Sequence, residues 1–468
     1  MNPVGTADAL ARHMARLTRR FFLKGMAAAG AAGAAGGLIP GLRNRRAQAQ
    51  LVPGVYPTIF IVLRGGLDTA MHFDAKTGFA NRNVQAADIR ETAAGIRWYE
   101  PTLGSMTNHM EDCCLIRNIS VSSSHPGGHG LLWYGERREE DAAAATPWAN
   151  HLASELDQQQ KAVAPNLVTY REDADDQIQN YTTFNNQSPR PTGAAQRVSA
   201  IQNFAEGLDV LQGQPDPAFQ ARVFQSVGQF DLRLYSPTVQ RRQVDGFQAA
   251  NTLATDLLTQ PVPPVWPPGS ETQQLFDLSQ AEIDNVVGGG NQRLQAHLAL
   301  AFEVARLQLS HVVFISTEGG YDTHNNHDAG QRNRSNQYFP EIEHLFSALK
   351  ATPSPLDPSV SMFDTTHIVI ASELSRANRV DNGEDTDGLG TPHWPWIQAA
   401  LFGGRFKRGY AFGDLDGEFK GVPADFNDGT LNQGQVPTIK NLHATILAAN
   451  GVDSSGWTSE APINAVLQ

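Results

Sequence analysis

Cysteine is almost missing from this chain. Its 468 residues include two, Cys113 and Cys114, adjacent in sequence. Neighbouring cysteines rarely bridge, because the ring they would close is strained. No disulfide framework therefore supports the fold. Both lie in the run Cys113-Cys114-Leu115-Ile116-Arg117, which reads as a buried strand holding two small hydrophobes. Long apolar runs are missing as well. No later segment approaches the ~20 strongly apolar residues of a membrane span, so a soluble mature protein without a stable span is expected. Charged residues are scarce at 18%, while hydrophobic residues make up 41%, a balance that fills a core and argues against wholesale disorder. Positive charge is in deficit, with a formal net charge of −12. So acidic a chain repels phosphate backbones, which makes nucleic acid a poor partner. No Gly-x-Gly-x-x-Gly follows a strand-like run, so a nicotinamide or flavin site has no support.

What basic charge there is gathers at the start. Residues 1–49 carry Arg12, Arg16, Arg19, Arg20, Lys24, Arg43, Arg45 and Arg46 against one acid, Asp8. Without them the chain has 28 basic and 47 acidic residues, a charge of −19. Arg19-Arg20-Phe21-Phe22-Leu23-Lys24 fits a twin-arginine export signal. A weakly apolar Ala/Gly stretch follows at 25–42, and Ala47-Gln48-Ala49 has the small-x-small form of a cleavage site. The expectation is a signal peptide over 1–49, passage through the twin-arginine translocase, and a periplasmic or secreted protein. That route carries folded cargo, which suits a metal loaded before export.

The length suggests one large or two ordinary domains. Short continuous apolar runs at 56–63, 113–119, 311–316 and 366–371 fit strands buried on both faces of a parallel sheet. Helical patterns lie between them, at 148–156, 293–309 and 338–349. This alternation predicts an α/β fold, a mostly parallel sheet with helices on both sides, over 50–468. Residues of about 170–290, rich in Gln, Asn and Asp and with a Pro-rich connector at 261–268, break the alternation and read as a helical insertion. Residues 405–435 read as loop with a short hairpin.

Ligands of open α/β sheets bind at the carboxyl ends of the strands. After the first run comes Arg64-Gly65-Gly66-Leu67-Asp68, where Asp68 is a ligand candidate or a turn-former. After the second comes Ser122-Ser123-Ser124-His125-Pro126-Gly127-Gly128-His129-Gly130. Its proline and glycines predict a loop in which His125 and His129 share no helix face but can converge, beside hydroxyls such as Ser124. After the third comes Gly319-Gly320-Tyr321-Asp322-Thr323-His324-Asn325-Asn326-His327, where Asp322 and His324 can face one zinc, manganese or iron ion. After the fourth come Ser372-Glu373-Leu374-Ser375-Arg376 and then Gly390-Thr391-Pro392-His393-Trp394, offering Glu373 and His393. Each alone is equally an ordinary cap or loop residue. All four strand ends presenting Asp, Glu or His is much less expected by chance.

These segments, with Asn441-Leu442-His443-Ala444-Thr445 near the end, resemble the family called domain of unknown function 1501, across about 55–455. The family consists of twin-arginine-exported proteins placed in the alkaline phosphatase and sulfatase superfamily. The resemblance implies a three-layer α/β sandwich, alkaline phosphatase-like, with divalent metal at the strand ends (zinc, manganese or calcium). It implies Asp68, Asp322, His324, Glu373 and His393 as ligands. There are departures from the superfamily pattern. Glu373-Leu374 stands where phosphatases often present Asp-His, the nucleophile position falls on His125, and the sulfatase Cys/Ser-x-Pro-x-Arg motif does not occur.

Two readings follow. One is a metal-dependent hydrolase of a phosphate or sulfate ester on a small molecule or polysaccharide. His125 or Ser124 would attack, His129 would assist, and Arg64 or Arg376 would hold the anion. The other is a non-catalytic, metal-stabilised binding or envelope-assembly protein.

Overall fold

A computed structural model describes residues 55–135, 147–160, 162, 166–170, 269–287, 293–317, 319–384 and 386–468. The export signal, the connector at 261–268 and most of the 170–290 insertion lie outside the described residues. The chain divides into two compact units. The first, Met1–Gln50, Asn203–Pro268 and Val287–Gly289, is almost entirely outside the described residues. The second is the α/β body.

Seven strands form its sheet: β1 (Thr58–Val62), β2 (Cys114–Ser120), β3 (Asn166–Tyr170), β4 (Val312–Ser316), β5 (His367–Ala371), β6 (Trp396–Phe402) and β7 (Tyr410–Phe412). Their order is β7-β2-β6-β5-β1-β4-β3. The central strand β1 pairs in parallel with β4 and β5, setting Ile61 beside both Ile315 and Ile370. Only β6 runs against its neighbours, β2 and β5. All four apolar runs form strands: every residue of β1, β4 and β5 is buried, and all of β2 but Arg117 and Ser120, as a sheet covered on both faces demands.

Alternate residues serve opposite faces. Phe60, Val62, Phe314, Val369 and Leu401 share a core with Leu132 and Trp133 of α1 (His125–Tyr134), Trp148 and Leu152 of α2 (Trp148–Gln159), and Leu442 and Ile446 of a C-terminal helix. On the other face Phe402 meets Phe346 of the helix His327–Ala351, with ring centroids 4.8 Å apart. Helices on both sides of a mostly parallel sheet are the three-layer arrangement expected. Burying each such Val, Leu, Ile or Phe contributes about 1.5–3 kcal/mol. Both cysteines are buried and free, and Asp414–Leu415 with Gly421–Val422 is the expected short hairpin. No described helix is long and apolar enough to cross a membrane.

The antiparallel sense of β6 matters for the site. It brings the segment before β6 to the edge where β1, β2, β4 and β5 end. There His393–Trp394 pairs with Ser375–Arg376 in a two-residue ladder, Arg376 opposite His393. Gly65 lets the β1 turn reach the β4 loop. It sits at φ 106°, and a Cβ there would lie 2.3 Å from the Asp322 nitrogen.

Candidate metal centre

The loop after β2 is short, and the helix α1 begins at His125 itself. This corrects the expectation that His125 and His129 share no helix face: they lie one turn apart on α1, with ring centroids 6.3 Å apart. Pro126 is tolerated because the first helical turn has no use for its missing N–H. The glycines serve packing. A Cβ at Gly128 would lie 2.1 Å from the Glu373 carbonyl oxygen, so α1 rests directly on the β5 end. Ser124 is the N-cap, its Oγ accepting the Gly127 N–H at 3.4 Å and lying 3.1 Å from Ser122 Oγ.

Three imidazoles converge on one carboxylate. His125 Nε2 lies 3.3 Å from Asp322 Oδ2. His324 Nε2 and His393 Nε2 lie 3.1 and 3.3 Å from Asp322 Oδ1. The His324 and His393 Nε2 atoms are 2.9 Å from each other. The opposite nitrogen of each ring is tied down. His125 Nδ1 is 2.7 Å from Glu373 Oε1, His324 Nδ1 is 2.5 Å from Asp381 Oδ2, and His393 Nδ1 is 3.2 Å from the Ser123 carbonyl oxygen. Ionised carboxylates and carbonyls only accept, so each Nδ1 carries the proton. In the neutral rings the Nε2 lone pairs then all face Asp322. Two lone pairs 2.9 Å apart repel unless a proton or a cation is shared between them.

This donor set suits a metal. A metal-bound histidine usually donates its other N–H to a carboxylate or a backbone carbonyl, as all three rings do here. Zinc–nitrogen bonds of about 2.0–2.1 Å in a tetrahedron put ligand atoms about 3.4 Å apart, and the three Nε2–Asp322 oxygen separations fall within a few tenths of that. His125 Nε2 is buried, and the Asp322 carboxylate is the group it faces. His125, Asp322 and His393 form one compact donor group among the described residues, and His125, His129 and Glu373 form another. The mouth is open to solvent, with the Asp322 side chain 39% exposed and that of His324 38% exposed.

The other residues singled out in the sequence sit differently. Glu373 is fully buried and accepts the Gly65 N–H at 2.8 Å, the Ser372 hydroxyl at 3.0 Å and the His125 N–H. It orients a histidine from behind. Asp68 does not join the centre. It is fully buried and bound to Arg82 Nε at 2.7 Å, His327 Nε2 at 2.8 Å and the Met71 N–H at 3.0 Å. Arg376, also fully buried, bonds Asp322 at 2.5 Å, the Thr391 carbonyl at 3.0 Å and the Gly65 carbonyl. Arg64 is buried with its Nε 3.4 Å from His129 Nε2. Asp381, Arg82 and His327 were not singled out as site residues. Asp381 lies among the acids of a Gly/Asp-rich loop, and only its pairing with His324 distinguishes it.

Burial opposes ionisation of Asp322, but hydrogen bonds from His125, His393 and Arg376 outweigh it and hold the carboxyl well below the usual range. Burial opposes the Glu373 charge too, and the hydrogen bonds from His125 and the Gly65 N–H help bring it down to about 2. Burial alone would lower His125; its bonds to Asp322 and Glu373 raise it to about 9. Without a cation the ring is therefore a proton-loaded bridge between two carboxylates.

Three solved structures superpose loosely on the chain. Ps i-CgsB in complex with k-i-k-neocarrahexaose is 11% identical at a TM-score of 0.35, over 87% of this chain and 75% of its own. The lipoteichoic acid synthase LtaP from Listeria monocytogenes is 7% identical at 0.35, over 88% and 75%. The phosphonate monoester hydrolase of Agrobacterium radiobacter is 10% identical at 0.30, over 85% and 74%. At such scores the likeness carries no functional argument. No curated protein matches the chain. The family model described as "Protein of unknown function (DUF1501)" matches residues 57–461, and with nearly the whole α/β body inside that match the chain belongs to this family.

Proposed function

We propose that this chain is an exported, metal-dependent hydrolase acting on anionic esters, phosphate or sulfate, with its ion held by His125, Asp322, His324 and His393. One observation carries the reading: three rings are pinned at Nδ1 and aim Nε2 at one carboxylate. Nitrogen-rich ligation argues for zinc, and against manganese and calcium, which prefer oxygen. When bound, the ion supplies Lewis-acid polarisation of an ester oxygen.

The chain's own groups prepare that step. Arg376 neutralises Asp322 from behind. Asp322, Glu373 and Asp381 with Arg64 and Arg376 leave a local formal charge of −1, so a divalent cation turns it to +1. That positive spot at an exposed mouth draws an anionic ester despite the acidic chain. Arg64 and Arg376 are both buried, which sets them back from the exposed mouth as clamps for the anion.

A second reading, a metal-stabilised binding protein, is favoured by Ser124. Its hydroxyl is spent as an N-cap, and the two α1 rings are tied to Glu373 and Arg64. Metal analysis of the exported protein, with aryl-phosphate and aryl-sulfate turnover, decides between them. Hydrolysis lost together with metal in a Asp322→Asn, His324→Ala double variant supports the hydrolase. A metal-loaded protein inert toward every ester supports the binding role, and a metal-free protein refutes both.

A further inference from the structure

Two donor groups share His125: His125 with Asp322 and His393, and His125 with His129 and Glu373. Resting on the metal reading above, we infer that the centre takes a single ion, in the first group, and that the Arg64 guanidinium closes the second group to cations. A guanidinium only donates and stays charged. Its Nε–H, 3.4 Å from His129 Nε2, therefore takes up the lone pair with which His129 would ligate. Glu373 is similarly committed. Its Oε1 accepts the Gly65 and His125 N–H groups, and its Oε2 accepts the Ser372 hydroxyl. The His125 Nδ1 that faces this group carries the proton donated to Glu373, so it has no lone pair to offer. An ion there would displace that proton, break the arginine contact and sit beside a fixed positive charge. The second group is thus the wall that orients His125. Arg64 and His129 are positioning residues, and Arg64 balances the Glu373 charge without a metal.

Zinc titration of the full mature protein by calorimetry, with zinc content by mass spectrometry after desalting, tests this. One zinc per chain is expected in the wild type and in His129→Gln. Arg64→Met frees the His129 lone pair and should admit a second, weaker zinc. Two zincs in the wild type, loss of the zinc in His129→Gln, or a count that stays at one in Arg64→Met would each overturn the inference while leaving the metal reading standing. No zinc in the folded wild type would overturn that reading itself. Melting curves without metal identify any variant that misfolds, and the wild-type count needs no variant.

Discussion

Two carboxylates at neighbouring strand ends meet opposite fates. Asp68 is fully buried against Arg82 and His327. Burial opposes its charge, yet Arg82 first and His327 second hold it well below the usual carboxylate range. Asp322 is over a third exposed and ringed by three imidazoles whose far nitrogens are already spoken for. The first cluster is electrically complete and can only stabilise. The second gathers three imidazole nitrogens on one exposed carboxylate, and under the proposed function a cation completes it. Residue types alone do not separate them. Each has an arginine, Arg82 at Asp68 and Arg376 at Asp322; what differs is that one imidazole faces Asp68 and three face the exposed Asp322.

The largest effect should come from breaking the complete cluster. Arg82→Ala leaves a buried unpaired carboxylate and should cost about 3–5 kcal/mol of stability, read by denaturant unfolding, while zinc affinity stays within twofold. Acid should come next. Burial lowers His72 to about 4, and His367 and His443 to about 3, from 6.5. Below about pH 6.5 the unfolded chain takes up these protons and the folded chain does not. The contribution of these three is therefore full above that pH and falls by about 1.4 kcal/mol per unit per histidine down to the folded values. Unfolding curves at pH 7, 6 and 5 measure the slope. At the open cluster, Asp381→Ala releases the His324 ring and should weaken zinc binding about 10–100-fold, with no change in apo melting temperature. Least of all, Ser124→Ala removes a helix cap and should cost about 1 kcal/mol, with zinc affinity unchanged. Complete loss of ester turnover in that variant would return Ser124 to the role of nucleophile.

The strands could be read from sequence because continuous burial leaves continuous apolar runs, as at 56–63 and 366–371. The helix α1 could not. Proline and glycines mark a loop by local preference, and the need for a bare Cα at Gly128 arises only where the Glu373 carbonyl packs against it. Asp322, His324 and His393 were visible because a strand end concentrates polar groups. The division between Glu373, which holds the His125 ring from behind, and His125, which faces Asp322, was not visible. It depends on which nitrogen of one ring meets which carboxylate, a matter of tertiary geometry. Asp68 was misplaced for the same reason, since its partner Arg82 lies in an unremarkable loop.

The most direct measurement is X-ray absorption of the zinc-loaded protein. The account predicts one zinc per chain, with three imidazole nitrogens and one carboxylate oxygen at about 2.0–2.1 Å. An all-oxygen shell, a shell with fewer than two imidazoles, or a spectrum unchanged by replacing His393 would contradict it.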